Sequence, residues 1–203
     1  MEQSVWQEIE QLYQKFQELG INEAVDYDKY YLYSLITHST AIEGSTLTEL
    51  DTQLLFDEGV TAKGKPLVHH LMNEDLKQAY ELAKAESVSL VPVTPAFLQR
   101  LNATLMRTTG SVHSVTGGSH PWVGGNGRTA RLLMNYIQFC YHLFPTKIFK
   151  EDKEEYILSL RQCQNEETNH PFLDFMAWQL KKSLALEIER FNASRKEGFN
   201  FMF

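Results

Sequence analysis

The stretch from His120 to Arg131 reads HPWVGGNGRTAR, and the apolar run LLMNYI follows it directly. Closely spaced glycines with an asparagine are typical of a turn, whereas the apolar run is typical of a helix. We therefore expect a loop that enters a helix near Asn126. The first N–H groups of a helix have no partner within the helix and carry the positive end of its dipole. Glycines at such a point let phosphate oxygens approach the backbone closely.

Two arginines follow the turn with helical spacing. Arg128 and Arg131 are three positions apart, so we expect their side chains to share one face of the helix. Two guanidinium groups directed to one side match two phosphate groups better than one carboxylate. His120 adds a potential base. Taken singly, a Gly-Gly-Asn-Gly turn and a histidine before proline are usually structural, but the ordered combination favours a polyphosphate site with a proton to be moved nearby.

The composition is that of an ordinary globular protein. Hydrophobic residues make up 43% of the 203 residues and charged residues 22%, which suits one domain with its own core. The chain has 19 Lys and Arg against 26 Asp and Glu, a formal net charge of -7. A nucleic-acid partner is disfavoured, because no basic surplus is available to displace counterions. The basic residues beside the glycine turn favour a small anion instead.

The sequence also bears on where the protein works. No stretch stays apolar for long enough to span a bilayer, and the N-terminal residues lack the basic and apolar regions of a signal peptide. We therefore expect no membrane partner and a cytoplasmic location. Cys140 and Cys163 are the two cysteines, and both fall in helical patterns. We expect them to be free thiols, which fits a reducing compartment.

Apolar residues recur with helical spacing along most of the chain, and no repeat or linker divides it. The first helix ends at Gly20, and the sequence Thr46-Leu47-Thr48-Glu49 predicts a capping box that opens the third. Thr94 and Pro95 predict a cap followed by proline at the first helical position. A single all-α domain over residues 1–203 follows. The predicted helices cover residues 5–19, 27–42, 47–56, 68–82, 95–105, 126–141, 151–164 and 171–191.

Residues 120–131 resemble the signature of Fic domains, which reads His-Pro-Phe-x-Asp/Glu-Gly-Asn-Gly-Arg-x-x-Arg. Trp122 stands at the phenylalanine position, which is a mild change. Fic proteins mostly transfer AMP from ATP to a hydroxyl group of a target protein. The resemblance therefore implies a single-domain helical Fic fold and a protein adenylyltransferase that uses ATP. The target protein is unknown.

The resemblance also implies a role for each matching position. His120 would be the catalytic base that takes the proton from the target hydroxyl. The glycine turn would form an anion hole around the phosphates, and the two arginines would hold the outer phosphates, with Arg131 on the terminal one. The phosphate-binding residues would be Gly125, Asn126, Gly127, Arg128 and Arg131.

One signature position departs from the family in its chemistry. The family's acidic residue holds the Mg²⁺ ion that bridges the ATP phosphates, but Gly124 stands at that position and has no ligand atom in its side chain. Mg²⁺ is thus expected from the family, whereas no metal-binding residue can be assigned here. We expect activity to be impaired as a result.

A second motif lies upstream. Residues 39–44, STAIEG, are similar to the family's inhibitory helix pattern, Ser/Thr-x-x-x-Glu-Gly/Asn. The resemblance implies that Glu43 is a buried carboxylate that pairs with Arg131 and takes the place of the terminal phosphate. By themselves, Ser39 and Glu43 are only an i, i+4 pair near a glycine that ends a helix. With both motifs present, we expect an autoinhibited enzyme.

The resemblance fails just before the signature. Fic domains carry a β-hairpin flap and a core helix there, and the flap clamps the target segment by strand addition. Here the Gly- and Ser-rich residues 110–119 run almost straight into His120, with no room for both elements. We therefore expect the flap to be missing or truncated. A natural deletion, an engineered deletion, or residues omitted from the sequence would each explain this.

Three functions follow from these patterns and stay open. The first is an autoinhibited protein adenylyltransferase. The second is a degenerate Fic domain that acts as a nucleotide-binding regulatory or interaction module, which Gly124 and the missing flap favour. The third is a Fic enzyme that removes AMP or uses another nucleotide-linked donor, with Glu43 positioning a water molecule for hydrolysis.

Overall fold

The computed structural model describes residues 3–110 and 124–196, and within these ranges it contains helices and no strand. The prediction of an all-α fold is confirmed. Short 3₁₀ turns at Ile21–Glu23 and Lys150–Asp152 precede the second and the seventh helix. The helices are α1 (Gln3–Glu18), α2 (Tyr27–Ile42), α3 (Glu49–Glu58), α4 (Leu67–Val88), α5 (Pro95–Leu105), α6 (Asn126–Cys140), α7 (Lys153–Glu166) and α8 (His170–Lys196).

The start of α3 differs from the sequence prediction. The N-cap is Thr48, whose hydroxyl accepts the N–H of Asp51 at 3.1 Å while the Asp51 carboxylate accepts the N–H of Thr48 at 2.9 Å. The predicted box began two residues earlier, at Thr46. That residue is engaged elsewhere, because its N–H donates to His69 Nδ1 at 3.2 Å and its carbonyl accepts from Lys65 Nζ at 2.7 Å.

The helices form two compact units. One combines residues 1–32 with residues 146–203, and there α8 packs against α1 and α7. Its core holds a buried ion pair: Lys147 is 1% exposed and its Nζ lies 3.7 Å from Oε1 of Glu187, which is 4% exposed. The Lys147 ammonium also lies over the rings of Tyr31 and Phe149, at 4.8 and 5.1 Å. Aromatic faces therefore supply part of the environment that this buried charge needs.

The other unit, residues 33–145, holds the rest of α2 with α3 to α6. Here α4 packs against α5 and α6, and α3 packs against α4. Alanines at two successive turns of α4 allow close approach of its neighbours. The completely buried apolar side chains of this core belong to Ile36, Leu76, Ala79, Ala83, Leu101, Leu105 and Leu132.

A buried polar cluster joins α2 to α3 and α4 within this unit. Thr40 and Asn73 are completely buried, and the Thr40 hydroxyl donates to Asn73 Oδ1 at 2.7 Å. Asn73 Nδ2 donates to the Thr52 hydroxyl at 2.8 Å, and the Thr37 hydroxyl donates to the same atom at 2.7 Å. The Thr52 hydroxyl in turn donates to the carbonyl of Thr48 at 3.0 Å. Because these buried polar groups form hydrogen bonds with one another, the cluster holds the second half of α2 in place.

Some predictions are confirmed and others fall outside the described ranges. Cys140 and Cys163 are free thiols, as predicted. None of the helices in residues 3–110 and 124–196 combines the length and the apolar character needed to cross a membrane. The prediction that the flap is missing or truncated and the prediction for His120 concern residues 111–123, which lie outside the described residues. The assignment of residues 1–203 to one domain stays a prediction.

Candidate functional site

The glycine turn enters α6 at Asn126, as predicted. Gly125 is the N-cap and has φ 73°, a left-handed conformation that favours glycine. A Cβ atom at this position would lie 2.6 Å from Met106 Sδ and 2.7 Å from Leu105 Cδ2, so glycine is also required for space. No side chain caps the helix. The first-turn amides are thus directed at the loop side, as in anion-binding helix termini.

Asn102 on α5 holds this turn in place. It is 1% exposed, and its Nδ2 donates to the Gly124 carbonyl at 3.1 Å and to the Thr129 hydroxyl at 3.0 Å. One amide therefore joins the loop before α6 to the first turn of α6. The sequence patterns did not predict this role of Asn102. Its only signal was a polar side chain on the apolar face of a predicted helix.

Arg131 binds the upstream motif. The residue is 4% exposed, its Nε donates to the Ser39 hydroxyl at 2.9 Å, and its Nη2 donates to the Ser39 carbonyl at 2.9 Å. Nη2 also forms an ion pair with Glu43 Oε1 at 2.8 Å. The structure therefore brings Ser39, Glu43 and Arg131 together.

Glu43 is less buried than expected. Its side chain is 36% exposed, because the residue follows the last residue of α2, Ile42, instead of lying within the helix. The carboxylate nevertheless lies against the first turn of α6. A Cβ atom on Gly127 would be 2.6 Å from Glu43 Oε1 and 3.1 Å from Arg131 Nη1. Gly127 thus leaves the space that the carboxylate fills.

Arg128 is as buried as Arg131 but is not satisfied. It is 5% exposed, and its Nη2 contacts the Met106 sulfur at 3.1 Å. A thioether is a weak acceptor. Within the described parts of the chain, Nε and Nη1 have no hydrogen-bond partner. A buried cation with unused donors is costly in isolation and would be stabilised by an anion.

The electrostatics around Arg128 show which charges lie near it. Burial lowers the pKa of its guanidinium below the ordinary value. The neighbouring Arg131 charge lowers this pKa further, whereas Glu43 and Asp75 raise it. The joint action of Arg128 and Arg131 on one ligand stays a prediction.

The donors at the turn do not fit Mg²⁺. Gly124 offers no side-chain ligand, and the two carboxylates near Arg128 are both engaged. Glu43 binds Arg131, while Asp75 accepts the N–H groups of Thr108 and Thr109 at 3.0–3.2 Å and the Thr109 hydroxyl at 3.0 Å. Among the residues that the structure describes, no three His, Cys, Asp or Glu side chains group as a metal site. Mg²⁺ requires oxygen ligands, carboxylates above all.

The fold is similar to that of solved Fic domain structures. A Fic domain containing signaling protein from Bacteroides thetaiotaomicron aligns with a TM-score of 0.74 at 22% identity, covering 92% of this chain and 97% of that one. Fic-1 (residues 134–508) from C. elegans aligns with a TM-score of 0.73 at 18% identity, covering 92% of this chain and 71% of that one. No family model matches the chain.

Sequence relatives agree with the fold. The chain is 26% identical over 194 residues to a protein named Protein adenylyltransferase Fic from Nematostella vectensis, which covers 70% of this chain and 45% of the relative. It is 26% identical over 202 residues to the protein of the same name from Drosophila melanogaster, which covers 74% and 41%. These relatives, the fold and residues 120–131 point to one family. The chain is similar to Fic domain proteins in both sequence and fold.

The relatives are longer than this chain. The chain spans less than half the length of the curated relatives that it matches. The matched stretch is also longer in the relative than in this chain. The alignment has 194 positions but covers only 70% of the 203 residues here. The Nematostella protein therefore has residues within that stretch that have no counterpart here.

Proposed function

We propose that this Fic domain is an autoinhibited protein adenylyltransferase, which transfers AMP from ATP to a hydroxyl group of a target protein. The observation that carries the proposal is the pairing of Arg131 with both Ser39 and Glu43. The names of the relatives and the signature stretch support the same activity. A cytoplasmic location stays a prediction alongside it.

The chemistry follows from the residues at the turn. The target hydroxyl oxygen would attack the α-phosphorus in line, and the bond from that phosphorus to the bridging oxygen would break to release pyrophosphate. His120 would accept the hydroxyl proton. The first-turn amides of α6 with Arg128 and Arg131 would stabilise charge on the phosphate oxygens. Gly125, Asn126 and Gly127 would supply the amides, as the family resemblance implies.

Autoinhibition follows from competition for Arg131. The Glu43 carboxylate is paired with Arg131 Nη2 and lies against Gly127. A terminal phosphate is also an anion that requires Arg131, and like charges that share one site repel each other. ATP would therefore bind in an unproductive pose until Glu43 leaves.

The test uses ATP labelled at the α-phosphate with the native protein, Glu43→Gly and Glu43→Gln. We expect Glu43→Gly to raise labelling of the protein itself or of added proteins by about tenfold or more, with Glu43→Gln between the two. The control is His120→Ala in the Glu43→Gly background, which should lose the label. Each variant is also made with Gly124→Asp. If no Glu43 variant is labelled in either background, the transferase proposal is wrong.

A nucleotide-binding regulatory module is the second candidate. The lack of a metal ligand at Gly124 favours it, because metal normally shares the stabilisation of a transferring phosphoryl group. ATP binding without labelling in any variant would support this function instead.

A further inference from the structure

We infer that the site binds its polyphosphate without a divalent metal held by the protein, and that it prefers the metal-free nucleotide to the Mg²⁺ complex. The inference concerns the ligand of the proposed function and rests on that function for the choice of ATP. It departs from the metal dependence that the family implies.

The first observation is the environment of Gly124. A Cβ atom at this position would lie 3.0 Å from Met106 Cε, so the position faces a packed methyl group. Its carbonyl oxygen already accepts a hydrogen bond from Asn102 Nδ2 at 3.1 Å. Gly124, at the usual metal-ligand position, therefore lies against Met106 and anchors the loop through its hydrogen bond with Asn102.

The second observation is that the nearby carboxylates have other partners. Glu43 is paired with Arg131. Asp75 is completely buried and its oxygens accept from Thr108 and Thr109. Moving Asp75 towards a cation would leave buried N–H groups unsatisfied, at a cost of about 1–3 kcal/mol for each group.

The third observation is the unused donors of Arg128. Nε and Nη1 of this buried guanidinium lack partners in the described residues and match bare phosphate oxygens. Bound Mg²⁺ would occupy some of those oxygens and remove two negative charges from the ligand. Since attraction to Arg128, Arg131 and the helix N-terminus grows with ligand charge, the metal-free form should bind more tightly.

The experiment measures ATP binding by calorimetry at matched ionic strength, with EDTA or with excess MgCl₂. For the native chain we expect a Kd at least about threefold lower in EDTA. Gly124→Asp should reverse this order, because its carboxylate repels bare phosphate and offers Mg²⁺ a ligand. Gly124→Asn, which has the same size without the charge, should keep the native order and so controls for crowding against Met106.

The outcomes separate this inference from the proposed function. A lower Kd with MgCl₂ for the native chain would overturn the inference while leaving the transferase proposal intact. If ATP does not bind in either condition, the proposed function fails, and inorganic triphosphate becomes the probe. Triphosphate binding that is tighter in EDTA and weakened by Gly124→Asp then sustains the inference, whereas no binding overturns it.

Discussion

Two arginines one turn apart on α6 are equally buried but differ in their partners. Arg131 makes three hydrogen bonds to Ser39 and Glu43, whereas two of the Arg128 nitrogens have none within the described residues. Proteins break the rule that buried polar groups are satisfied mainly where they bind something. This contrast supports the proposal that Arg128 binds the anionic ligand.

We expect Arg128→Met to stabilise the protein and to weaken anion binding. Removal of a buried, unsatisfied charge should raise the free energy of unfolding by about 1–3 kcal/mol. Urea denaturation measures this change. Added triphosphate should stabilise the native chain and leave the variant unchanged. Loss of stability in the variant would show that Arg128 has a structural role instead.

At the scale of elements, a second contact holds the end of α2. Thr40 lies between Ser39 and Glu43 in sequence, and its hydroxyl binds Asn73 on α4. Its carbonyl accepts the N–H groups of Glu43 and Ser45, each at 3.0 Å. The position of Glu43 therefore depends on a contact that does not involve Arg131.

We expect Thr40→Val to loosen this end of α2. The change keeps the shape of the side chain but leaves Asn73 Oδ1 unsatisfied, at a cost of about 1–3 kcal/mol. Labelling from α-labelled ATP should rise above the native level and stay below that of Glu43→Gly. Leu55→Ala, a core truncation on α3, is the control for stability loss alone. Equal labelling in the control and in Thr40→Val would contradict the anchoring role.

The sequence predicted elements better than contacts. The bounds of α2 and the start of α6 followed from apolar spacing and glycines, and the Glu43–Arg131 pairing followed from a family pattern. The contacts that hold these elements in place could not be predicted from the sequence. Asn102 reaches Gly124 across 22 positions and Thr40 reaches Asn73 across 33. Such pairs leave no periodicity in the sequence, since they exist only after the helices pack.

At the scale of the whole molecule, each compact unit has its own buried polar feature. One holds the threonine and asparagine cluster beside α2. The other holds the Lys147–Glu187 pair within its core, where both residues are at least 95% buried. Buried ion pairs contribute little net stability, but breaking one leaves an uncompensated charge.

We expect Glu187→Leu to lower the free energy of unfolding by about 3–5 kcal/mol, because it removes the carboxylate that lies beside the buried Lys147 ammonium. The double variant Lys147→Met with Glu187→Leu should recover most of that loss. Chemical denaturation of the single and double variants measures the coupling between them. If the two single changes are additive, the pair does not act as a unit.

The Ser39 carbonyl adds a consequence for how the protein could be switched. Arg131 Nη2 donates to this backbone oxygen as well as to Glu43, and no substitution of a side chain can remove a main-chain acceptor. When Glu43 departs, the guanidinium keeps this tether and its orientation. Under the proposed autoinhibition, release of the Glu43 carboxylate would thus leave Arg131 already positioned for a phosphate.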